Sequence, residues 1–138
     1  CGEPTPYRQN FWFNSAKFFD IEYQTYGWVW SQLKEDEAEF YWEHKSGKKC
    51  MHFIFDKNSK IFLGVNTFGI RLRHECFDQW LTEKRDIFYI LEHLRQANFD
   101  PEFFDRHEKE IADAFNKVHP ERQIQLKGKK SILESIFR

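Results

Sequence analysis

The chain has 138 residues, 41% hydrophobic and 19% aromatic, with a formal net charge of −1. A chain of this length buries roughly two-thirds of its unfolded surface and needs no staples to hold a core. The near-neutral charge excludes a global field that recruits nucleic acid or anionic lipid, the composition excludes intrinsic disorder, and no apolar run approaches the ~20 residues of a membrane span.

Residues 1–10 are punctuated by Pro4 and Pro6 and read as a residual linker. The stretch from Phe11 to Gly27 then places seven aromatic rings in seventeen residues. Within it, Phe19, Ile21, Tyr23 and Thr25 alternate with Asp20, Glu22 and Gln24, which predicts a half-buried strand over Phe19–Tyr26. The acidic run Lys34–Glu37 reads as a turn. A second strand follows with Ala38, Phe40 and Trp42 inward and Glu39, Tyr41 and Glu43 outward. Ser46–Lys49 is a turn signal, Met51, Phe53 and Phe55 mark a third strand, Asp56–Ser59 turns again, and Ile61, Leu63 and Val65 mark a fourth. Short polar connections between alternating strands indicate an antiparallel meander.

After Gly69 the period changes from two to that of a helix. His74–Lys84 carries Cys76, Phe77, Trp80 and Leu81 at helical spacing, and Asp86 is placed to cap a second helix with Ile87, Ile90, Leu91 and Leu94 as its apolar stripe. Asp100-Pro101 is a helix start, Phe104, Ile111, Ala114 and Phe115 line the helix it opens, and His119-Pro120 ends it. A basic link, Lys127–Lys130, precedes a short apolar stretch, Ile132–Phe137. Strands first and helices after predict one α+β domain: an antiparallel sheet of three to four strands over 11–68, then three to four helices over 70–138 packed on one face.

Motifs that hold phosphates or nucleophiles are missing: the sequence has no GxGxxG, no GxxxxGK[ST] and no GxSxG. Successive helical residues diverge, so His74, Glu75 and Cys76 cannot meet on one ion, and no second His or Cys completes a site with His107. No metal site and no catalytic residue is expected. Cys50 and His52 share one strand face, but no oxyanion donor accompanies them, and the run Glu35–Glu37 reads as a solvated turn. The rings could also form a nucleic-acid stacking platform with Lys45, Lys48, Lys49, Arg71 and Arg73. The interleaved Asp20, Glu22, Glu39 and Glu43 would repel phosphates, so the rings read as core and no nucleic-acid partner is expected. Three cysteines without CxxC spacing suggest reduced thiols at Cys50 and Cys76, which favours a cytoplasmic setting.

The only methionine is Met51, so Cys1 is not a translation start. The favoured expectation is a piece of a longer polypeptide; the alternative is a processed lipoprotein, a stand-alone ligand-binding module that begins Cys1-Gly2.

The residues Gly2-Glu3-Pro4-Thr5-Pro6-Tyr7, Phe11-Trp12-Phe13-Asn14-Ser15, and Asp20-Ile21-Glu22-Tyr23-Gln24 with Gly27 resemble a known entry segment. It opens the C-terminal domain of FAD-dependent pyridine nucleotide-disulfide oxidoreductases, in the ferredoxin-reductase-like branch. The resemblance covers the first 27 residues and implies a non-catalytic C-terminal interface domain. Its parent enzyme would use FAD and NAD(P)H, bound by domains that precede this one. The implied partners are those domains, a second copy in a homodimer, and a small electron-carrier protein. Phe11, Trp12, Phe13 and Asn14 would lie near the flavin edge of the intact enzyme, shaping the pocket and excluding water; redox chemistry belongs to the cofactor.

Overall fold

The computed structural model describes residues 2, 4, 6, 11–99 and 105–128. Five antiparallel strands, β1 (Phe13–Phe18), β2 (Ile21–Gly27), β3 (Glu37–Glu43), β4 (Cys50–Asp56) and β5 (Phe62–Phe68), make one sheet in the order β1-β2-β5-β4-β3. Helices α1 (His74–Thr82), α2 (Ile87–Glu92), α3 (Leu94–Ala97) and α4 (Glu108–Val118) follow. The α+β architecture expected from the switch in period is the one observed, with one strand more.

A single register row crosses all five strands: Phe13, Tyr26, Val65, Phe53 and Phe40 stand in line. Side chains two residues apart share a face, so Phe40 and Trp42 of β3 and Met51, Phe53 and Phe55 of β4 lie inward as the alternation predicts, and all are buried. Helix α1 packs on β2 and β5, and α4 packs on β3. Phe77, Trp80, Ile87, Ile90, Leu91, Leu94, Ile111 and Phe115 close one continuous core with that face. The predicted stripe is intact, although α2 and α3 are separate helices that meet at His93.

Local chemistry sets the element ends. Asp86 caps α2, its carboxylate accepting the Tyr89 N–H at 2.7 Å, as its position predicts. Asp56 closes the β4–β5 turn by accepting from the Asn58 and Ser59 amides, and these bonds hold its carboxyl below the usual range. His119 ends α4 where His119-Pro120 predicts.

Three strand expectations are corrected. β1 was not expected as a strand, because Asn14, Ser15 and Lys17 interrupt any apolar alternation along it. The apolar set of β2 has the opposite phase. Tyr26 and Gln24 are its residues on the helix-covered face, Ile21 is exposed, and Phe19 lies before the strand at 99% exposure. Register explains this: Phe18 pairs with Ile21, so Phe19 and Asp20 are a two-residue hairpin loop, and Phe19 has φ 54°. In β5, Val65 is buried, but Ile61 and Leu63 are only half-buried while Phe62 enters the core. Phe53 pairs with Val65, yet Phe55 pairs with Phe62, so Leu63 is an extra residue in a bulge that reverses the parity.

The helix start at Asp100-Pro101, Phe104 and the stretch Ile132–Phe137 lie outside the described residues. Asp105–His107 are not helical, so α4 begins at Glu108. Among the described residues, no helix is long and apolar enough to cross a membrane.

Candidate functional site

The sequence drives a cluster of rings to one end of the sheet and leaves them half-uncovered. β1 brings Phe11, Trp12 and Phe13 beside β2, where the Gly27 N–H donates to the Trp12 carbonyl at 2.8 Å. The chain then leaves β2 as Gly27-Trp28-Val29-Trp30, and the Trp28 N–H donates to the Leu63 carbonyl at 3.1 Å. That bond places the Trp28 indole against Trp12 (centroids 6.2 Å apart, 19° between planes) and against Trp30 (5.5 Å, 6°). The three indoles form a stacked ladder, exposed at 42%, 51% and 49% for Trp12, Trp28 and Trp30.

A second stack runs inward from the same end. Phe13 lies between His74 (4.9 Å, 22°) and Tyr26 (5.1 Å, 25°), and Tyr26 continues onto Phe77 at 4.6 Å. Tyr26 is anchored: its hydroxyl lies 2.8 Å from the Leu72 carbonyl and 3.0 Å from Gln24 Oε1, which itself accepts the Leu72 N–H at 2.9 Å. Burial, then the carboxylates of Glu22 and Glu75, push the Tyr26 phenol well above its ordinary value, so it stays a neutral donor. Between the stacks and α1 opens a cleft of about 320 Å³, with Phe11, Trp12 and Phe13 on one wall and His74, Glu75 and Asp78 on the other.

Three of the four residues singled out by the resemblance therefore meet at one cleft. Asn14 does not line it; it alternates to the other sheet face, in register with Thr25. Trp28, Trp30 and His74 belong to the ring clusters and were missed, although the Trp-Val-Trp spacing after Gly27 was a visible signal.

The alternatives weighed from the sequence meet specific partners. Arg71 forms a two-pronged ion pair with Glu22 (2.8–3.0 Å), and Lys49 pairs with Asp105; neither guanidinium nor ammonium is held out toward a phosphate path. His52 Nε2 lies 2.7 Å from Glu39 Oε2, so its ring is engaged away from Cys50. Cys50 and Cys76 are both free thiols. Burial raises the Cys76 thiol above its ordinary value, with Arg73 pulling the other way.

The fold brings a second histidine beside His107. The β3–β4 turn, closed by His44 N–H to Lys49 C=O (2.8 Å) and Gly47 N–H to His44 C=O (2.9 Å), carries the His44 ring to within 5.0 Å of the His107 ring. Sequence separation hid this pair, since the two residues lie 63 positions apart.

A scan against protein-family models finds no match, and comparisons with curated proteins and with solved structures find no significant one.

Proposed function

We propose that this chain is the C-terminal domain of an NAD(P)H/FAD-dependent oxidoreductase, non-catalytic by itself. Its aromatic end would pack against the flavin-binding half and help shape the isoalloxazine site or a dimer interface. The observation that supports this most is the indole ladder. Three stacked tryptophans, with Phe11 and Phe13 beside them, keep roughly half their surface in solvent at one end of the sheet. Contiguous exposed apolar surface of this kind marks an interaction site, and the cleft beside it fits a pocket wall.

The test is the reading frame upstream of the Cys1 codon together with the flavoprotein it encodes. The expected result is an in-frame FAD-binding region carrying GxGxxG. In that whole protein, Trp12→Ala should change flavin fluorescence while FAD remains bound. A frame that opens immediately before Cys1 would overturn the reading.

A second reading, a stand-alone ligand-binding module, draws on the cleft between Phe13 and α1. At about 320 Å³ it sits at the small end of ligand sites. Saturable binding of a small aromatic ligand to this chain, abolished by Phe13→Ala, would favour it.

A further inference from the structure

We propose that His44, His107 and Glu110 form a zinc-binding site at the end of the sheet where the β3–β4 turn meets the start of α4. One donor atom from each residue lies within 4.8 Å of the other two. Zn–N and Zn–O bonds of about 2.0–2.2 Å put tetrahedral ligands somewhat over 3 Å apart, so small side-chain rotations would bring the three atoms around one ion. Two imidazoles and one carboxylate suit zinc in a three-ligand set with a fourth position left to water.

Each ligand is positioned by a different device. His44 is fixed in the closed β3–β4 turn, and its Nδ1 lies 2.8 Å from Ser46 Oγ. The Ser46 N–H also donates to Nδ1, at 3.3 Å, so Nδ1 is the acceptor in the metal-free chain; an ion at Nε2 shifts the ring to its other tautomer, with Nδ1 then donating to the Ser46 hydroxyl. His107 stands at the N-cap of α4, and Glu110 follows in the first turn, so the helix sets their mutual placement.

The second observation is a buried atom without a partner. His107 Nδ1 is shielded from solvent and makes no hydrogen bond among the described residues. Buried polar nitrogen is almost always satisfied, and an exception asks for an explanation. A cation at Nδ1 supplies one once the ring changes tautomer: while Nε2 accepts from Lys49 the proton sits on Nδ1, and an ion there displaces it. The other ring nitrogen, Nε2, lies 3.1 Å from the Lys49 ammonium, which also pairs with Asp105. Because Nδ1 and Nε2 point to different sides of the ring, Lys49 does not occupy the place of an ion bound at Nδ1. It does oppose the ion electrostatically, and in the loaded site its ammonium turns to Asp105.

Zinc titration of the 138-residue chain tests the proposal, followed by calorimetry in a background where Cys1, Cys50 and Cys76 are serine. That background removes thiolate binding as a source of signal. The expected result is one saturable site at neutral pH, weakened at least tenfold by His44→Ala and by Glu110→Gln, the scale of loss seen when metal-site support is removed. Lys49→Met should tighten binding several-fold. Glu110 is exposed, so Glu110→Gln keeps the test sound if His44→Ala disturbs the turn; circular dichroism checks both. Absence of saturable binding in the cysteine-free chain, or an affinity unchanged by both His44→Ala and Glu110→Gln, would overturn the site. Neither outcome bears on the flavoprotein reading.

Discussion

Gly27 and the carbonyl of Leu63 approach so closely that a Cβ on the glycine would lie 2.2 Å from the oxygen. The carbonyl belongs to the bulged residue of β5, and it accepts the Trp28 N–H. One irregularity in β5 therefore dictates a glycine in β2 and fixes the middle rung of the indole ladder.

Gly27→Ala should be among the most damaging single substitutions in the chain. Its φ of 70° costs a side chain about 1 kcal/mol, and the backbone clash adds more. We expect a loss above about 2 kcal/mol. Gly47→Ala shares the positive φ, but its Cβ would meet only the Glu43 carboxylate at 3.7 Å, so about 1 kcal/mol is expected there. Denaturant midpoints of the two variants separate strain from clash.

Phe19→Gly should stabilise the chain by up to about 1 kcal/mol. Phe19 holds φ 54° at the first position of a two-residue hairpin loop, where glycine is favoured, and its ring is fully exposed. A higher thermal midpoint checks this; a lower one shows that the ring has a native contact.

Asp86→Ala removes the cap of α2 and an ion pair with Arg122 at 3.3 Å. Loss of about 1 kcal/mol is expected, and Asp86→Asn, which still accepts the Tyr89 N–H, should avoid most of it. Equal losses in both variants would assign the effect to charge.

Cys76 gives a pH signature. Its thiol is raised in the folded chain, so between the ordinary thiol value, about 8.5, and the folded value the unfolded chain has lost a proton that the native chain keeps. Stability is thus whole below the ordinary value and falls as pH rises through the folded one. Cys76→Ser should flatten that alkaline limb, and Cys76 should alkylate more slowly than a free thiol at mildly alkaline pH.

Much of the fold was legible because local and global demands agree. Phe40, Trp42, Met51, Phe53 and Phe55 follow strict alternation, Asp86 caps where a capping residue should, and the α2–α3 stripe is buried as a whole. The misreadings share one physical cause, which is dependence on a distant partner. Leu63 reverses the parity of β5 only because β4 lacks its counterpart, and Phe19 becomes a loop residue only because β1 exists to pair with Ile21. At the candidate site, Phe11, Trp12 and Phe13 were visible as a run. His74 was not, since only the packing of α1 on β2 brings it to Phe13, and the His44–His107 pair is created by tertiary structure alone.

The strand order has a kinetic consequence. Because β2 pairs with β5 and not with β3, the β1–β2 hairpin cannot zip onto its neighbour in sequence. The meander β3–β4–β5 can assemble through short turns, whereas the hairpin must wait for a partner that closes a loop of some forty residues. The three indoles flank the hairpin at that late seam, and the Trp28 amide is bonded across it to Leu63. In a chain with Trp42 and Trp80, the core indoles of β3 and α1, replaced by phenylalanine, tryptophan fluorescence in stopped-flow refolding should therefore lag behind the far-ultraviolet signal of the helices, and coincident phases would show that hairpin and meander join in one step.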